Sequence, residues 1–385
     1  MKIALRMTLG VALDRMTLGV ALACMTLAAP LAAQTPPARP TLEQVRHDMV
    51  LPSHDDVRGR IDSTGYAFTP AQMAKAWELA TRPPAPDSLG PAPRPGVAAV
   101  ISPHDDFNFA GRVYRRVLPL VTAKTVVLIG VFHGYRNFGE HDRLVFDPYR
   151  TWTAPDGPVA VSSLRAALLA RLPAEDFVQD AAAHDAEHSL EPLVCWLRHA
   201  RADVEIVPII VPAARFERLE QLADHLGAAL EVEMRARGWT FGRDVAIAIS
   251  ADAIHYGPDF HQVAFGDGGP KAYERAVQRD RGLLEGPLRG PLTVAKARTL
   301  YETYVDPGHP DTYRWTWCGR FSVPLGLLVL ERATRDAGGA TGHPIAYSTS
   351  IAGPELGLRD VGMVPSSPSN FYHFVGYPGV AFTTK

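Results

Sequence analysis

Three apolar runs in this 385-residue chain end the same way, and that repetition constrains the fold more than any other feature. Val97–Ile101 (VAAVI) breaks at Ser102-Pro103 and delivers His104. Lys124–Val131 (KTVVLIGV) leads through Phe132 to His133, and Asp244–Ser250 (DVAIAIS) leads to Asp252 and His255. Short β-branched runs closed by turn residues read as strands buried on both faces. Helical patterns stand between them: Val161–Leu172, Glu187–Ala200 opened by acidic Asp185 and Glu187, Phe216–Met234 stopped by Gly238, and Phe321–Thr334. Val204–Val211 is strand-like, with Pro208 marking a bulge or an edge, and Ile345–Ser350 and Phe371–Phe382 read as further strands. Alternating strands and helices imply a three-layer αβα domain around a largely parallel central sheet. The carboxyl ends of parallel strands share one edge, so residues distant in sequence converge there. One histidine after a strand is more often structural than functional. Three strand ends doing the same thing point to a site.

The rest of the chain bounds the setting. Residues 1–33 read as a secretory signal, with Lys2 and Arg6 before apolar runs and Leu31-Ala32-Ala33 as the small-residue cleavage context. The octapeptide RMTLGVAL occurs twice, at Arg6–Leu13 and Arg15–Leu22, and a start at Met7 or Met16 restores a cleaner signal. Export to the periplasm is therefore expected. Cys24 lies in a weak lipoprotein context, so lipid anchoring is not. Residues 34–95 read as a Pro-rich N-terminal extension: a linker over 34–44, one helix opened by the Thr69–Gln72 capping box, and a proline-dense connector over 82–95. The main domain occupies residues 96–385. With a net charge of -2 there is no electrostatic case for nucleic acid, and after residue 35 no apolar run is long enough to span a membrane. There is no G-x-S-x-G elbow, GxGxxG turn or P-loop.

Two further segments carry chemistry. Trp315–Arg320 (WTWCGR) places Cys318 just before a helix, where backbone N–H groups and Arg320 favour the thiolate, a nucleophile or soft metal ligand. Cys195 is the other cysteine left once Cys24 departs, and a free Cys318 is preferred over a pair. His184 and His188 stand at i, i+4, the spacing of one helix face, without the H-E-x-x-H order of a zinc helix; a role in orienting other groups suits them better.

Together these segments resemble the Memo family, known in prokaryotes as AmmeMemoRadiSam system protein B. The likeness rests on Pro103-His104 with Phe107–Gly111, Val127–His133, Asp185–Glu191, Pro208–Val211, Ser250–Gly257 and Cys318-Gly319-Arg320. The resemblance implies a fold similar to class III extradiol dioxygenases, which use non-haem iron. It implies a metal, Fe(II) or Cu with zinc as a further candidate, on His104, His133 and Cys318. It also carries Asp252, His255 and His188 over as catalytic or orienting groups, and a functional link to AMMECR1-like and radical-SAM proteins. The family's Pro-His-Ala-Gly-Tyr is here Pro-His-Asp105-Asp106-Phe107, which adds two carboxylates beside the first histidine. The leading expectation is a metal-dependent oxidoreductase. A non-catalytic adaptor holding a small molecule or peptide in the same pocket, and a zinc-dependent hydrolase with Asp252 or His255 as base, are the alternatives.

Overall fold

The computed structural model describes residues 38–384, so the expected signal segment, its repeat and Cys24 lie outside the described residues. Six strands form the body of the sheet: β1 (Ala99–Ser102), β2 (Thr125–Val131), β3 (Glu205–Val211), β4 (Val245–Ser250), β5 (Ala340–Thr349) and β6 (Phe374–Thr384). Their order is β3-β2-β4-β1-β6-β5. The first four are parallel, with Ser250 beside Ser102 and Ile249 beside Ile129. The two C-terminal strands join antiparallel on the far side of β1. Every residue of β1, β2 and β4 is buried, as continuous Val/Ile/Ala runs require when helices cover both faces.

One face carries helix Phe107–Val117, backed by Pro70–Leu79 and Glu191–Ala200. Trp196 ties this layer together, stacked on Tyr114 and edge-on to Phe107. The other face carries Ser322–Thr334, which packs on β4 and β2 and on the long helix Phe216–Arg237. Gly238, at φ 66°, ends that long helix in the left-handed turn its sequence foretold. The three-layer αβα architecture is thus present, with an antiparallel flank that the apolar pattern could not distinguish from parallel strands.

Pro208 corrects its expectation. It is neither at an edge nor in a bulge: β3 is interior, and on the side away from β2 it is covered by two short strands. One pairs as far as Ile206, the other from Ile209, and Pro208 falls in the gap where a ladder partner is missing.

Residues 38–95 belong to the same compact unit as the rest of the described chain. They hold two helices where one was expected. The unforeseen one, Leu42–Asp48, starts inside the expected linker on a Thr41–Gln44 capping box. Val57–Arg58 pairs with Thr151–Trp152, and Asp87–Ser88 pairs with β5.

Close approach at one glycine sets the site's geometry. A Cβ on Gly130 of β2 would lie 2.7 Å from Leu190 Cγ and 2.9 Å from Ser189 Oγ, so this glycine lets the 186–190 loop sit directly on the strand that leads to His133. Gly130→Ala is expected to cost about 1–3 kcal/mol by overpacking. Urea unfolding checks it, and a loss below about 0.5 kcal/mol, the range of an indifferent surface change, contradicts that packing.

Candidate metal centre

The register of the parallel strands places the three expected strand ends at one edge. β1 ends at Ser102 and β4 at its partner Ser250, while β2 runs on to Val131 before Phe132 and His133. The segment beyond β4 is pinned from both sides: the Ala251 N–H donates to the Ser102 carbonyl, and the Ala253 N–H to the Gly376 carbonyl.

His104 is buried and its tautomer is determined. Ser250 Oγ lies 2.7 Å from the Ser189 carbonyl oxygen and 2.7 Å from His104 Nδ1. The hydroxyl has one proton and must give it to the carbonyl, so it accepts from Nδ1–H. The Nε2 lone pair of His104 therefore faces the cluster. Burial first, and the neighbouring His133, His188 and His255 second, push this imidazole well below its ordinary value and keep it neutral.

His133 is fixed by Glu187. Its backbone N–H donates to Oε2 at 2.6 Å and its Nδ1–H to Oε1 at 3.0 Å, which again turns Nε2 inward. Burial alone would raise Glu187, but His133, its hydrogen bonds and His188 outweigh burial and hold the carboxyl at about 2. His188 is held in turn by Asp62, 3.2 Å from Nδ1. Burial opposes its charge, yet Asp62, Glu187 and Glu191 push it up to about 10.

Each of the three imidazoles thus has an oxygen behind it, the arrangement by which metal-binding histidines are oriented. Ring centroids of His104, His133 and His188 are 5.2–5.3 Å apart, and their donor atoms lie within 4.8 Å of one another. A second set within that limit is His104, Asp252 and Cys318. Its Sγ is 3.7 Å from His104 Nε2, and Asp252 Oδ2 is 3.3 Å from the same nitrogen. A lone pair, a carboxylate and a sulfur thus converge on one buried point. Without a cation Asp252 must carry a proton there, in keeping with its carboxyl being pushed well above the ordinary range by burial and by Asp105. The donor set fits a metal ion.

The chain is similar to known proteins along most of this framework. Residues 71–356 match the family model described as Memo-like protein. The chain belongs to the Memo-like protein family. It is 27% identical over 267 residues to a MEMO1 family protein of Thermococcus kodakarensis, covering 66% of this chain and 81% of that protein. A MEMO1 family protein of Aquifex aeolicus is 29% identical over 258 residues, covering 66% and 78%. One of Archaeoglobus fulgidus is 31% identical over 170 residues, covering 44% and 59%.

In this Memo-family chain the expected residues divide between the two sets: His104 belongs to both, His133 and His188 to one, and Asp252 and Cys318 to the other. The expected trio of His104, His133 and Cys318 thus forms neither, and His255 stands outside both while acting electrostatically on His104. The Glu187–Ala200 helix begins only at Glu191, and a separate short helix, Ala181–Asp185, precedes it. His184 and His188 therefore share no helix face: His184 is buried against the Val145 carbonyl at 3.0 Å, and His188 alone reaches the cluster. Cys318 is free, as is Cys195. It is not a ready thiolate. Its helix starts at Ser322, and burial, followed by Asp252, pushes the thiol well above its usual value. Its sulfur accepts the Asp252 N–H at 3.0 Å. His255 donates Nδ1–H toward the Ala253 and Thr316 carbonyls, so its Nε2 is an acceptor, and burial keeps the ring below its ordinary value.

The Asp105-Asp106 departure from the Memo pattern divides into two roles. Asp106 caps helix Phe107–Val117 through the Asn108 N–H at 2.7 Å and receives the Ser366 N–H at 2.6 Å. Asp105 accepts the Tyr377 hydroxyl at 2.6 Å and acts electrostatically on Asp252 and His255. Asp62 has no signal in the sequence, and Ser250 and Glu187, which lie within the segments that carry the resemblance, have there no role in holding the histidines; the fold assigns all three to that role. Among the described residues no helix is long and apolar enough to cross a membrane.

Proposed function

We propose that this chain is a metal-dependent redox protein, an oxidoreductase of dioxygenase-like architecture, in which His104, His133 and Cys318 hold an iron(II) or copper ion. The convergence at His104 Nε2 carries the reading: a nitrogen lone pair, the Asp252 carboxyl oxygen at 3.3 Å and the Cys318 sulfur at 3.7 Å face one buried point, a donor set that suits a cation once Asp252 and Cys318 release their protons. Imidazole with thiolate suits iron and copper. A bound ion of this kind supplies Lewis acidity and one-electron chemistry beside positions open to oxygen or substrate. The protein's own groups orient and move protons. Ser250 and Glu187 fix the two imidazoles, Asp252 anchors the His104 backbone N–H at 3.0 Å, and His255 takes and returns a proton at Nε2.

A second reading has its own observation. His104, His133 and His188, each backed by an oxygen, form a three-histidine set of the kind zinc hydrolases use, with His255 as base. The two readings separate on Cys318. In the redox reading the copper-loaded protein shows a thiolate-to-metal absorption band that Cys318→Ser removes; a band-free wild type favours zinc hydrolysis.

Metal affinity also rises with pH. Cys318 is a thiol in the metal-free protein and must release its proton to ligate, so affinity falls roughly tenfold per pH unit lost for that one proton. Competition titrations between about pH 6 and 8 measure the slope, and a flat profile argues against thiolate ligation. Export, periplasmic location and the AMMECR1-like and radical-SAM link remain part of this proposal.

A further inference from the structure

Beside the cluster lies a cavity of about 230 Å³ whose walls include His133 and Cys318. Most of the remaining lining is apolar or aromatic, with Phe132, Tyr313 and Phe321 among it. Arg320 enters the same cavity and is 6% exposed.

Its surroundings differ from those of the other deeply buried arginines. Arg58 lies 2.5 Å from Glu191 and Arg60 3.7 Å from the same carboxylate. Buried guanidinium groups normally find such a partner, because an unpaired charge out of water is costly. Among the described residues Arg320 has no carboxylate within ion-pair distance. Two of its five N–H groups are used, toward the Asp311 carbonyl at 3.2 Å and the Tyr135 hydroxyl at 3.1 Å. The Asp311 carboxylate is engaged elsewhere, by the Tyr135 hydroxyl and by Arg136. Tyr313 and Phe321 lie against the guanidinium, at 3.8 and 4.9 Å from its carbon to the ring centroids. These contacts hold its plane and supply no negative charge.

We propose that Arg320 is the anion-binding group of this cavity, and that the ligand is a small monocarboxylate with an apolar or aromatic body. A guanidinium edge matches a carboxylate in two parallel hydrogen bonds. The aromatic walls fit one ring-sized body. Arg136 also lines the cavity but is paired with Asp311 at 3.5 Å, so Arg136, Arg320 and Asp311 together leave one net positive charge, which limits the ligand's charge. The opposite end of such a molecule would lie toward His133 and Cys318. The proposal deepens the metal-centre reading by naming its substrate class, while the carboxylate contact itself does not require the ion.

The test uses the full chain as purified, with its metal content measured, and compares benzoate with its neutral isostere benzamide by calorimetry. Wild type is expected to prefer benzoate by about tenfold or more, the scale of a charge-assisted contact. Arg320→Met should remove that preference at unchanged metal load, and Arg320→Lys should keep part of it. A wild-type ratio near one overturns the proposal whatever the variants do. A preference that survives in Arg320→Met but vanishes in His133→Ala also overturns it, because the anion then sits on the metal. Failure of the metal reading shows in the metal content instead, and leaves a benzoate preference lost in Arg320→Met as support for the anion site.

Discussion

Asp280→Ala is expected to destabilise the protein by about 4 kcal/mol or more, a large share of the roughly 5–15 kcal/mol that holds a domain folded. Asp280 is fully buried on helix Pro270–Glu285 and receives four donors. The indole N–H groups of Trp315 and Trp317 reach Oδ1 at 2.8 and 2.7 Å. The Tyr347 hydroxyl and the Ile254 N–H reach Oδ2 at 2.7 and 3.1 Å. Removing the acceptor strands all four, at about 1–3 kcal/mol each. Asp280→Asn keeps the oxygen facing the indoles, and Tyr347 can turn its hydroxyl to accept from the new amide. Only the Ile254 N–H is then left, so the loss should shrink to about 1–3 kcal/mol. Denaturant unfolding of the two variants measures the difference, and an alanine variant within about 1 kcal/mol of wild type refutes the role. The consequence reaches the site, since Asp280 ties the segment carrying Cys318 to the loop carrying Asp252 and His255.

Glu191→Ala should cost about 3–5 kcal/mol, the penalty for stranding buried charge. Arg58 and Arg60, 0% and 1% exposed, would both lose their carboxylate. The Ile61 and Asp62 N–H groups, at 3.0 and 3.2 Å from Glu191, would lose their acceptor as well. Residues 58–62 are then released, and with them the Asp62 carboxylate that holds His188. Thermal melts of Glu191→Ala and Glu191→Gln should rank alanine lower, because glutamine still offers an oxygen to the two backbone groups. Equal melting temperatures for all three proteins contradict the account.

The parts of this fold that were legible in the sequence share a cause. Strands buried on both faces write themselves as unbroken apolar runs, so β1, β2 and β4 and the polar residues that follow them could be read directly. Chain direction in the C-terminal strands could not, because burial patterns carry no direction. The site's supporting groups were hidden for a different reason. Asp62, Glu187 and Asp280 act through partners far away in sequence or on separate loops, with no local period to mark them. The same holds for Cys318: its position before a helix indicated a thiolate, and only the fold reveals the burial that keeps it a thiol. The Leu42–Asp48 helix did leave a local signal, the Thr41–Gln44 box, within a stretch whose prolines pointed to a linker.

The most direct test of the metal centre is metal stoichiometry after anaerobic purification of wild type, His104→Ala, His133→Ala and Cys318→Ala under one protocol. Wild type should hold close to one iron or copper ion per chain, and each histidine variant should lose most of it, with Cys318→Ala losing the thiolate band as well. The same metal load in all four proteins would contradict the central claim.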